Sequence, residues 1–235
     1  MRGFLKAIFP ENSAIRWILS GFYRHHFLFF GALLKTISAN HELTKHIFTF
    51  QVRLGVGQSL KVSLSSSSTV ELGGIVTIEN WGGNSEISSI YLSDNAALII
   101  KGDLIIGPGV HISVSNNAKL EFAGKNTSSA SGVTCNSRIM VEKFVSIGAD
   151  TIIAWDVFIT DSDWHDISGS QRCLPTIIGE SVWVAHGVSI LKGAVVPDGC
   201  IVGAKSLVIS SNYFEKSMIA GVPAKTIRRD VSWKR

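Results

Sequence analysis

Residues 178–208 read IGESVWVAHGVSILKGAVVPDGCIVGAKSLV, and an aliphatic side chain occupies every sixth position of this stretch. The same spacing occurs upstream, across residues 141–159. Within residues 178–208, a compact side chain also lies four positions after each of the first five aliphatic residues. The aliphatic positions are Val141, Ile147, Ile153, Ile159, Ile178, Val184, Ile190, Val196, Val202 and Val208, and the compact ones are Val182, Val188, Ala194, Cys200 and Ser206.

A six-residue period matches neither regular element, because a helix repeats every 3.6 residues and a strand every two. It suits a chain that forms a short strand, turns, and forms another, with one side chain of each strand pointing inward. Three such strands close a triangular coil of about 18 residues, and coils stack at about 4.8 Å. One coil cannot bury its own apolar side chains, so several must stack. The sequence therefore predicts an all-β solenoid rather than a sandwich of alternating strands, which would not keep one period.

The N-terminal segment, residues 1–50, differs from the rest of the chain. It contains ten of the 21 aromatic residues and four of the seven histidines, and it lacks the six-residue period. Residues 13–19 and 27–37 read as helices, with Asn12 or Ser13 as an N-terminal cap. The sequence therefore predicts a helical segment ahead of the solenoid.

The predicted solenoid spans residues 51–211, and residues 212–235 form a basic C-terminal tail. The period is looser at first and is interrupted three times. We interpret these interruptions as loops near residues 81–94, 123–134 and 160–177.

Charge is distributed unevenly along the chain, although the net charge is only +4. Residues 1–61 carry eight Lys and Arg against two acids, residues 205–235 carry seven against two, and residues 62–204 carry seven against fourteen. An anionic partner should therefore contact the two ends. The repeat region has no basic stripe, so we expect no nucleic-acid partner.

Two interpretations of residues 1–50 remain open. A helical cap could cover the open edge of the first coil, as a solenoid requires. Alternatively, an amphipathic patch could rest on an anionic membrane surface. The longest apolar run, residues 27–34, is far shorter than the roughly 20 residues that a membrane span needs.

The three cysteines, Cys135, Cys173 and Cys200, form no CxxC pair and indicate no disulfide framework. A reducing compartment fits this usage, and the N-terminus does not read as a cleavable signal. We therefore predict a cytoplasmic protein, or one at the inner face of the membrane if residues 1–50 contact lipid.

The interruption after Ile159 is the most informative of the three. If the period continued, His165 and Gln171 would point into a dry aliphatic interior, which would not accept them without partners. The period also restarts one residue out of phase, at Ile178. Residues 160–177 must therefore leave the coil, and they carry a histidine among three carboxylates, in the run TDSDWHD at 160–166. This composition is typical of a general base, although an inert surface loop is an equal alternative.

Five stretches in order match one family: ITDSDWH (159–165), IGESVWV (178–184), ILKG (190–193), VGAKS (202–206) and AGVPAK (220–225). From about residue 98 to 229 the chain resembles the hexapeptide-repeat acyltransferases, specifically the acetyltransferases that modify sugars and polysaccharides. The resemblance implies a left-handed parallel β-helix, acetyl-CoA as the donor, a homotrimer, and active sites between neighbouring subunits. It implies no metal.

The resemblance also implies roles for individual residues. His165 corresponds to the family's catalytic base, and Asp161 or Asp163 would orient it. Trp183 corresponds to a tryptophan beside the active site of related polysaccharide enzymes, or else packs at the trimer interface. We assign Trp164 with it to the acceptor. The residues implied in coenzyme A binding are Ala185, Gly203, Ala204, Lys205, Lys225 and Arg228.

The function implied by the resemblance is direct acetyl transfer from acetyl-CoA to a sugar hydroxyl in a surface polysaccharide or its precursor. One alternative is N-acetylation of an amino or nucleotide sugar, and another is a non-catalytic scaffold in a glycan assembly complex. A zinc hydratase resembling the γ-type carbonic anhydrases is a further alternative. It needs three converging histidines, and the repeat region contains only His111, His165 and His186, with no paired spacing.

Overall fold

The computed structural model describes residues 10, 13–46, 48–79, 86–126, 131–209 and 211–234. Two helices precede a series of short strands in these residues, namely α1 (Ala14–His25) and α2 (Leu28–Thr44). The strands are β1 (Val52–Leu54), β2 (Leu60–Leu64), β3 (Thr69–Leu72), β4 (Val76–Ile78), β5 (Ser88–Leu92), β6 (Ala97–Ile100), β7 (Leu104–Ile106), β8 (His111–Val114), β9 (Lys119–Phe122), β10 (Gly132–Val133), β11 (Arg138–Val141), β12 (Phe144–Ile147), β13 (Ile152–Ile153), β14 (Phe158–Thr160), β15 (Thr176–Ile178), β16 (Trp183–Val184), β17 (Ser189–Ile190), β18 (Val195–Val196), β19 (Ile201–Val202), β20 (Leu207–Val208), β21 (Met218–Gly221) and β22 (Ala224–Arg228).

Every third strand from β1 to β20 belongs to the same sheet, so the chain winds around a triangular solenoid. We call the sheet that begins with β1 the first face, the sheet that begins with β2 the second, and the sheet that begins with β3 the third. Strand pairing is parallel throughout these faces, and β22 folds back antiparallel on β21. Trp183 pairs with Ile201, eighteen residues later, as a three-strand coil requires. The fold is a left-handed parallel β-helix, as predicted.

The core follows the six-residue period. All ten aliphatic positions of the period are at most 2% exposed, and so are the five compact positions, including Cys200. Burial of one such aliphatic side chain contributes about 1.5–3 kcal/mol relative to exposure. Because the same inward position recurs in every coil, the apolar contacts form one continuous column along the solenoid.

Two predicted loops contain strands. Residues 88–92, within the loop predicted at 81–94, form β5, because Ser88, Ile90 and Leu92 point inward in simple alternation. Residues 132–133, within the loop predicted at 123–134, form β10. Val133 of β10 lies eleven residues after Phe122, so a strict six-residue count misses it. Ile90 of β5 lies twelve residues after Ile78 and keeps the phase, but Asn84 interrupts the run of aliphatic residues between them. Residues 80–85 and 127–130 lie outside the described residues.

The C-terminal tail predicted at 212–235 is also partly structured. Its strands β21 and β22 extend the first face by two more rungs. Residues 214–217 form the preceding turn, in which the Ser217 hydroxyl donates to the Phe214 carbonyl at 2.6 Å. The tail is therefore part of the solenoid.

The helices cover the open end of the solenoid, so the cap interpretation is confirmed. The buried side of α2 packs on β1, and no further strand of the described residues pairs with the outer edge of β1. Asn40 and Thr36, both fully buried, replace that strand with side-chain hydrogen bonds. The Asn40 amide accepts from Val52 N at 3.0 Å and donates to Val52 O at 2.6 Å, and the Thr36 hydroxyl accepts from Leu54 N at 2.9 Å. Buried backbone groups at a sheet edge need such partners.

The first helix begins where the sequence predicts. The Ser13 side chain accepts from Arg16 N at 3.1 Å, which caps α1, whereas Asn12 lies outside the described residues. Neither α1 nor α2 is long and apolar enough to cross a membrane.

Candidate active site

Residues 161–175 connect β14 to β15 and leave the regular coil, at the place where the sequence indicates a loop. The two ends of this connection, which we call the histidine loop, pair with each other. Ser162 and Cys173 form an antiparallel bridge, and Asp163 N donates to Arg172 O at 3.1 Å. The loop therefore has a hydrogen-bonded base, and residues 165–171 are exposed to solvent.

Asp161 stabilises the start of the histidine loop from inside the protein. Its carboxylate is fully buried and accepts three backbone hydrogen bonds, from Glu142 N at 2.8 Å, Lys143 N at 2.7 Å and Phe144 N at 2.6 Å. These amides belong to the turn between β11 and β12, one coil earlier. Asp161 thus joins the loop to the neighbouring coil, and a buried carboxylate with three such donors is well satisfied.

Asp163 contacts a lysine of the following coil. Its carboxylate forms an ion pair with Lys192, whose ammonium group is largely buried. Lys192 Nζ also donates to Ser170 Oγ at 2.9 Å and to Gln171 O at 2.6 Å. One lysine therefore contacts both arms of the histidine loop. Within the single chain, the carboxylates of Asp161 and Asp163 both contact the scaffold. Orientation of His165 by either carboxylate stays a prediction.

A second polar network stabilises the base of the loop. Glu142 accepts hydrogen bonds from Ser162 Oγ and from Arg172, with Arg172 Nη2 at 2.6 Å. Burial alone would raise the pKa of Glu142, but these two donors outweigh it and lower the pKa. The stabilising contribution of this carboxylate is therefore present at neutral pH and is lost as the pH falls through its folded pKa. Burial also raises the pKa of the neighbouring Cys173 thiol, which favours the neutral thiol.

His165 lies on the exposed part of the loop, directly after Trp164. Trp164 has a left-handed backbone conformation, with φ of 62°. Its indole Nε1 donates to Thr160 Oγ1 at 3.2 Å, and its backbone N donates to Ser162 Oγ at 2.9 Å. Trp164 thus packs back towards the coil while the next residue is presented to solvent. An exposed imidazole on an anchored loop is available to a substrate.

The residues predicted to bind the cofactor come together at another place. Val184 pairs with Val202, so Ala185 and Gly203 occupy equivalent positions in the turns that connect the first face to the second. A Cβ atom at Gly203 would lie 3.0 Å from the Ala220 Cβ, and Ala220 pairs with Lys225 on β22. We call the row formed by these turns and the start of β22 the first corner.

Two further predicted residues also lie in the first corner. Ala204 and Lys205 follow Gly203 in its turn, and both are exposed. Lys205 N donates to His186 O at 2.9 Å, which places it beside the preceding coil. The first corner therefore combines small residues with the exposed cations of Lys205 and Lys225.

Trp183 and Arg228 lie at the other end of the first face. The two residues share one row across the neighbouring strands β16, β19, β21 and β22. The row consists of the paired residues Trp183, Ile201, Met218 and Arg228. Trp183 is 41% exposed, and its ring centroid lies 6.2 Å from that of Trp233. The Trp233 indole donates to Ser181 O at 2.8 Å, which fixes the tail against this row.

A single chain does not bring His165 together with the predicted cofactor residues. The histidine loop leaves the solenoid between the second face and the third, whereas the first corner lies between the first face and the second. One face of the triangle therefore separates the start of the histidine loop from the first corner. A face is about four residues of extended chain wide, which is about 13 Å. A groove of about 630 Å³ between α1 and the first coil, lined in part by Trp17, Arg24 and Glu79, includes none of the predicted site residues.

Among the described residues, no three His, Cys, Asp or Glu side chains are arranged to hold a metal ion. His111 is an exposed residue of β8 and contacts Ser89 Oγ at 2.8 Å through Nδ1. His186 packs on Trp155, with ring centroids 5.5 Å apart, and its Nδ1 lies 3.4 Å from Asp156 Oδ2. The three histidines of the repeat region thus have separate surroundings.

Comparison with known proteins identifies relatives in sequence that are named as O-acetyltransferases. No family model matches the chain. The chain is 37% identical over 99 residues to the putative lipopolysaccharide biosynthesis O-acetyl transferase WbbJ of Escherichia coli K12, over 36% of this chain and 50% of that protein. It is 33% identical over 143 residues to the polysialic acid O-acetyltransferase of Escherichia coli O1:K1 / APEC, over 58% of this chain and 42% of that protein. Over the matched stretches the chain is therefore similar to proteins that are named as O-acetyltransferases.

A solved structure with a similar fold supports the β-helix architecture. The polysialic acid O-acetyltransferase OatWY superposes with a TM-score of 0.55 at 22% identity, covering 78% of this chain and 90% of that chain. An uncharacterized 24.8 kDa protein in the cps region of Klebsiella pneumoniae is 26% identical over 213 residues, over 87% of this chain and 88% of that protein. The chain spans about half the length of the two named acetyltransferases that it matches in sequence.

The sequence analysis missed several residues that support the candidate site. Lys192, Glu142 and Arg172 stabilise the histidine loop, and Trp233 packs on Trp183. Lys192 lies in the matched stretch ILKG, yet its contact with Asp163 spans 29 residues of chain. Such contacts depend on which coils become neighbours, and no local sequence signal identifies them.

Proposed function

We propose that the protein transfers an acetyl group from acetyl-CoA to a hydroxyl of a sugar in a surface polysaccharide or its precursor. The observation that carries the proposal is the exposed His165 on a loop that Asp161 and Lys192 attach to neighbouring coils. A rigid scaffold with one exposed imidazole suits general-base chemistry near neutral pH. Two relatives named as O-acetyltransferases of lipopolysaccharide biosynthesis and polysialic acid support the acceptor class.

The proposed reaction needs one proton transfer at the histidine. His165 takes the proton from the sugar hydroxyl, and the resulting oxygen nucleophile attacks the thioester carbonyl carbon. The new C–O bond forms, the C–S bond breaks, and the imidazolium returns its proton to the departing CoA thiolate. Backbone N–H groups of the coil turns stabilise the oxyanion of the tetrahedral intermediate. Trp164, in the histidine loop, and Trp183, at the start of β16, would contact the acceptor sugar.

Acetyl transfer can be measured directly with the full chain. Purified protein, acetyl-CoA and candidate glycans should release free thiol and yield glycans heavier by one acetyl group in mass spectrometry. Release of the acetyl group under mild base identifies an ester. Acetylation of amino sugars alone would instead establish an N-acetyltransferase. No transfer, together with no change of the melting temperature by acetyl-CoA, would establish a scaffold.

The first corner is the proposed binding place of coenzyme A. The small residues Ala185, Gly203 and Ala204 allow the pantetheine arm to approach backbone N–H and C=O groups. Lys205, Lys225 and, further along β22, Arg228 supply cations for the phosphates, in line with the basic character of residues 205–235. A fixed ammonium group is a suitable partner for a phosphate.

Substitution Lys225→Ala should weaken CoA binding about tenfold, because one charge-assisted hydrogen bond contributes about 1.5–3 kcal/mol and exposure reduces its effect. Isothermal titration with CoA measures the dissociation constant. Lys234→Ala, which removes a cation of the same tail outside the first corner, should leave it unchanged. Equal effects of the two substitutions would show that only net charge matters and would contradict the site.

A homotrimer would complete the active site. The histidine loop of one chain and the first corner of the same chain lie on different corners of the triangle, so the proposal places the loop of one chain against the first corner of its neighbour. Light scattering should give the mass of three chains. Mixed assemblies of His165→Ala and Lys225→Ala chains should regain activity, because some interfaces combine two intact partners. A fully active monomer would contradict the shared site.

We also propose a cytoplasmic location with action at the inner face of the membrane. Cys173 and Cys200 form no disulfide with another described residue, which suits a reducing compartment.

A further inference from the structure

The helical cap has an outward apolar surface that the solenoid does not use. Of the eighteen exposed large apolar side chains in the described part of the chain, eight lie within residues 15–34. Single exposed apolar residues are normal, but a concentration of them indicates a contact surface. The eight are Ile15, Leu19, Phe22, Tyr23, Phe27, Leu28, Phe30 and Leu34.

The helical period explains why these side chains are exposed. In α2 the buried side chains include Phe29, Ala32 and Thr36. Phe29 packs on Trp17 and Phe22 of α1, and Thr36 contacts the first coil. Phe30 and Leu34 follow the same spacing on the opposite side. In α1 the residues Ile15, Leu19, Phe22 and Tyr23 also recur at helical spacing. Each helix is therefore apolar on an outward side, whereas a helix that merely covers a core is polar there.

The connection between the helices projects furthest into solvent. Phe27 is 94% exposed and Leu28 is 73% exposed, the largest values among the apolar residues of the cap. Both lie directly after three basic or titratable residues, Arg24, His25 and His26, which are exposed as well. An apolar tip that is preceded in the chain by the cation of Arg24, and followed by no acid until near the end of α2, is complementary to a bilayer with anionic headgroups.

Charge on this segment is consistent with a lipid partner. Residues 13–46 contain four Lys and Arg, and their one acidic residue is Glu42 near the end of α2. A second copy of the same surface would bring Arg24 towards Arg24 and gain no charge complementarity. An anionic membrane surface satisfies both the apolar tip and the cations.

We propose that the surface formed by residues 15–34, which we call the cap surface, docks on an anionic lipid membrane with Phe27 and Leu28 inserted between the headgroups. The biological role of this docking rests on the proposed function. Docking would place the enzyme beside lipid-linked acceptors. Membrane binding itself needs no acetyl transfer, so the two proposals fail separately.

Flotation of the full chain with vesicles tests the docking. The protein should float with vesicles of phosphatidylcholine mixed with phosphatidylglycerol, and much less with phosphatidylcholine alone. Raising the salt concentration from about 0.1 M to about 1 M shortens the Debye length from about 10 Å to about 3 Å and should reduce flotation. Absence of flotation with the anionic vesicles would overturn the proposal.

Matched variants identify the surface. Phe27→Ser/Leu28→Ser should lower the membrane partition coefficient at least about tenfold, because two large apolar side chains no longer insert. Ile87→Ser/Ile209→Ser, which removes two exposed apolar side chains outside the cap, should float like the unmodified chain. Equal flotation of the cap variant and the unmodified chain would overturn the proposal.

Light scattering of the cap variant completes the test. An unchanged particle mass supports a lipid surface as the partner. A smaller mass would show that the cap surface packs between copies of the chain, and would likewise overturn the proposal. Thermal unfolding confirms that the variant is folded, which is expected since both substituted side chains are exposed.

Discussion

His165→Ala is expected to lose acetyl transfer by about 10²–10⁴-fold, the usual contribution of a general base. The imidazole is the group that removes the acceptor proton in the proposed reaction, and the loop keeps its other contacts when the side chain is removed. The rate constant kcat should fall while the KM for acetyl-CoA changes little. Measurement of thiol release at saturating acetyl-CoA determines the effect.

The controls for this substitution come from the same chain. The melting temperature and its increase by CoA should stay unchanged in His165→Ala, because His165 is exposed and lies apart from the first corner. His111→Ala removes another exposed histidine of the repeat region and should keep full activity. Activity of His165→Ala within a few-fold of the unmodified enzyme would refute the assignment of the base.

Asp161→Ala is expected to lower the free energy of unfolding by about 3–5 kcal/mol, the largest stability effect that we predict. The substitution leaves three backbone amides of the preceding coil without their acceptor, and a hydrogen bond to a charged group contributes about 1.5–3 kcal/mol. Water entering the vacated space recovers part of this loss. The melting temperature should fall by roughly 10 °C for a chain of this size. Calorimetry measures the shift.

Two other substitutions separate the role of Asp161 from a general effect of charge. Asp161→Asn keeps one acceptor oxygen and should lose about half as much stability. Asp166→Ala removes an 87%-exposed carboxylate of the same loop, whose ion pair with Arg172 is long at 3.8 Å, and should change stability by less than about 0.5 kcal/mol. A similar loss in Asp166→Ala and Asp161→Ala would contradict the anchoring role. In Asp161→Ala, activity at low temperature should also fall, because the loop is displaced.

The regular part of the fold could be predicted because its information is local. An inward position such as Val184 is recognisable from its neighbours six residues away, and the same constraint applies in every coil. The histidine loop was recognisable for the opposite reason, since His165 and Gln171 are incompatible with a dry interior. Strand β5 escaped prediction although its inward Ile90 lies two periods after Ile78, because the position between them is Asn84 and the run of aliphatic residues is interrupted there.

The supporting contacts of the site could not be predicted. Asp161 contacts the turn at residues 142–144, and Asp163 contacts Lys192, through pairings that arise only when coils stack. The sequence analysis expected one of these carboxylates to orient His165, and the structure shows both in contact with the scaffold. Similarly, Trp233 reaches Trp183 only because the tail folds back along the first face.

The sequence by itself determined the β-helix, the identity of its buried column, the position of the loop that carries His165 and the basic character of both ends. These features follow from side-chain period and composition, which act over a few residues. Tertiary structure alone decided that Asn40 and Thr36 complete the open edge of β1. It also decided that Asp161 and Lys192 anchor the histidine loop. Finally, it placed the loop that carries His165 at a different corner of the triangle from the first corner. Hydrogen bonds between coils and distances across a triangle depend on how the whole chain stacks, so they appear only once the coils are assembled.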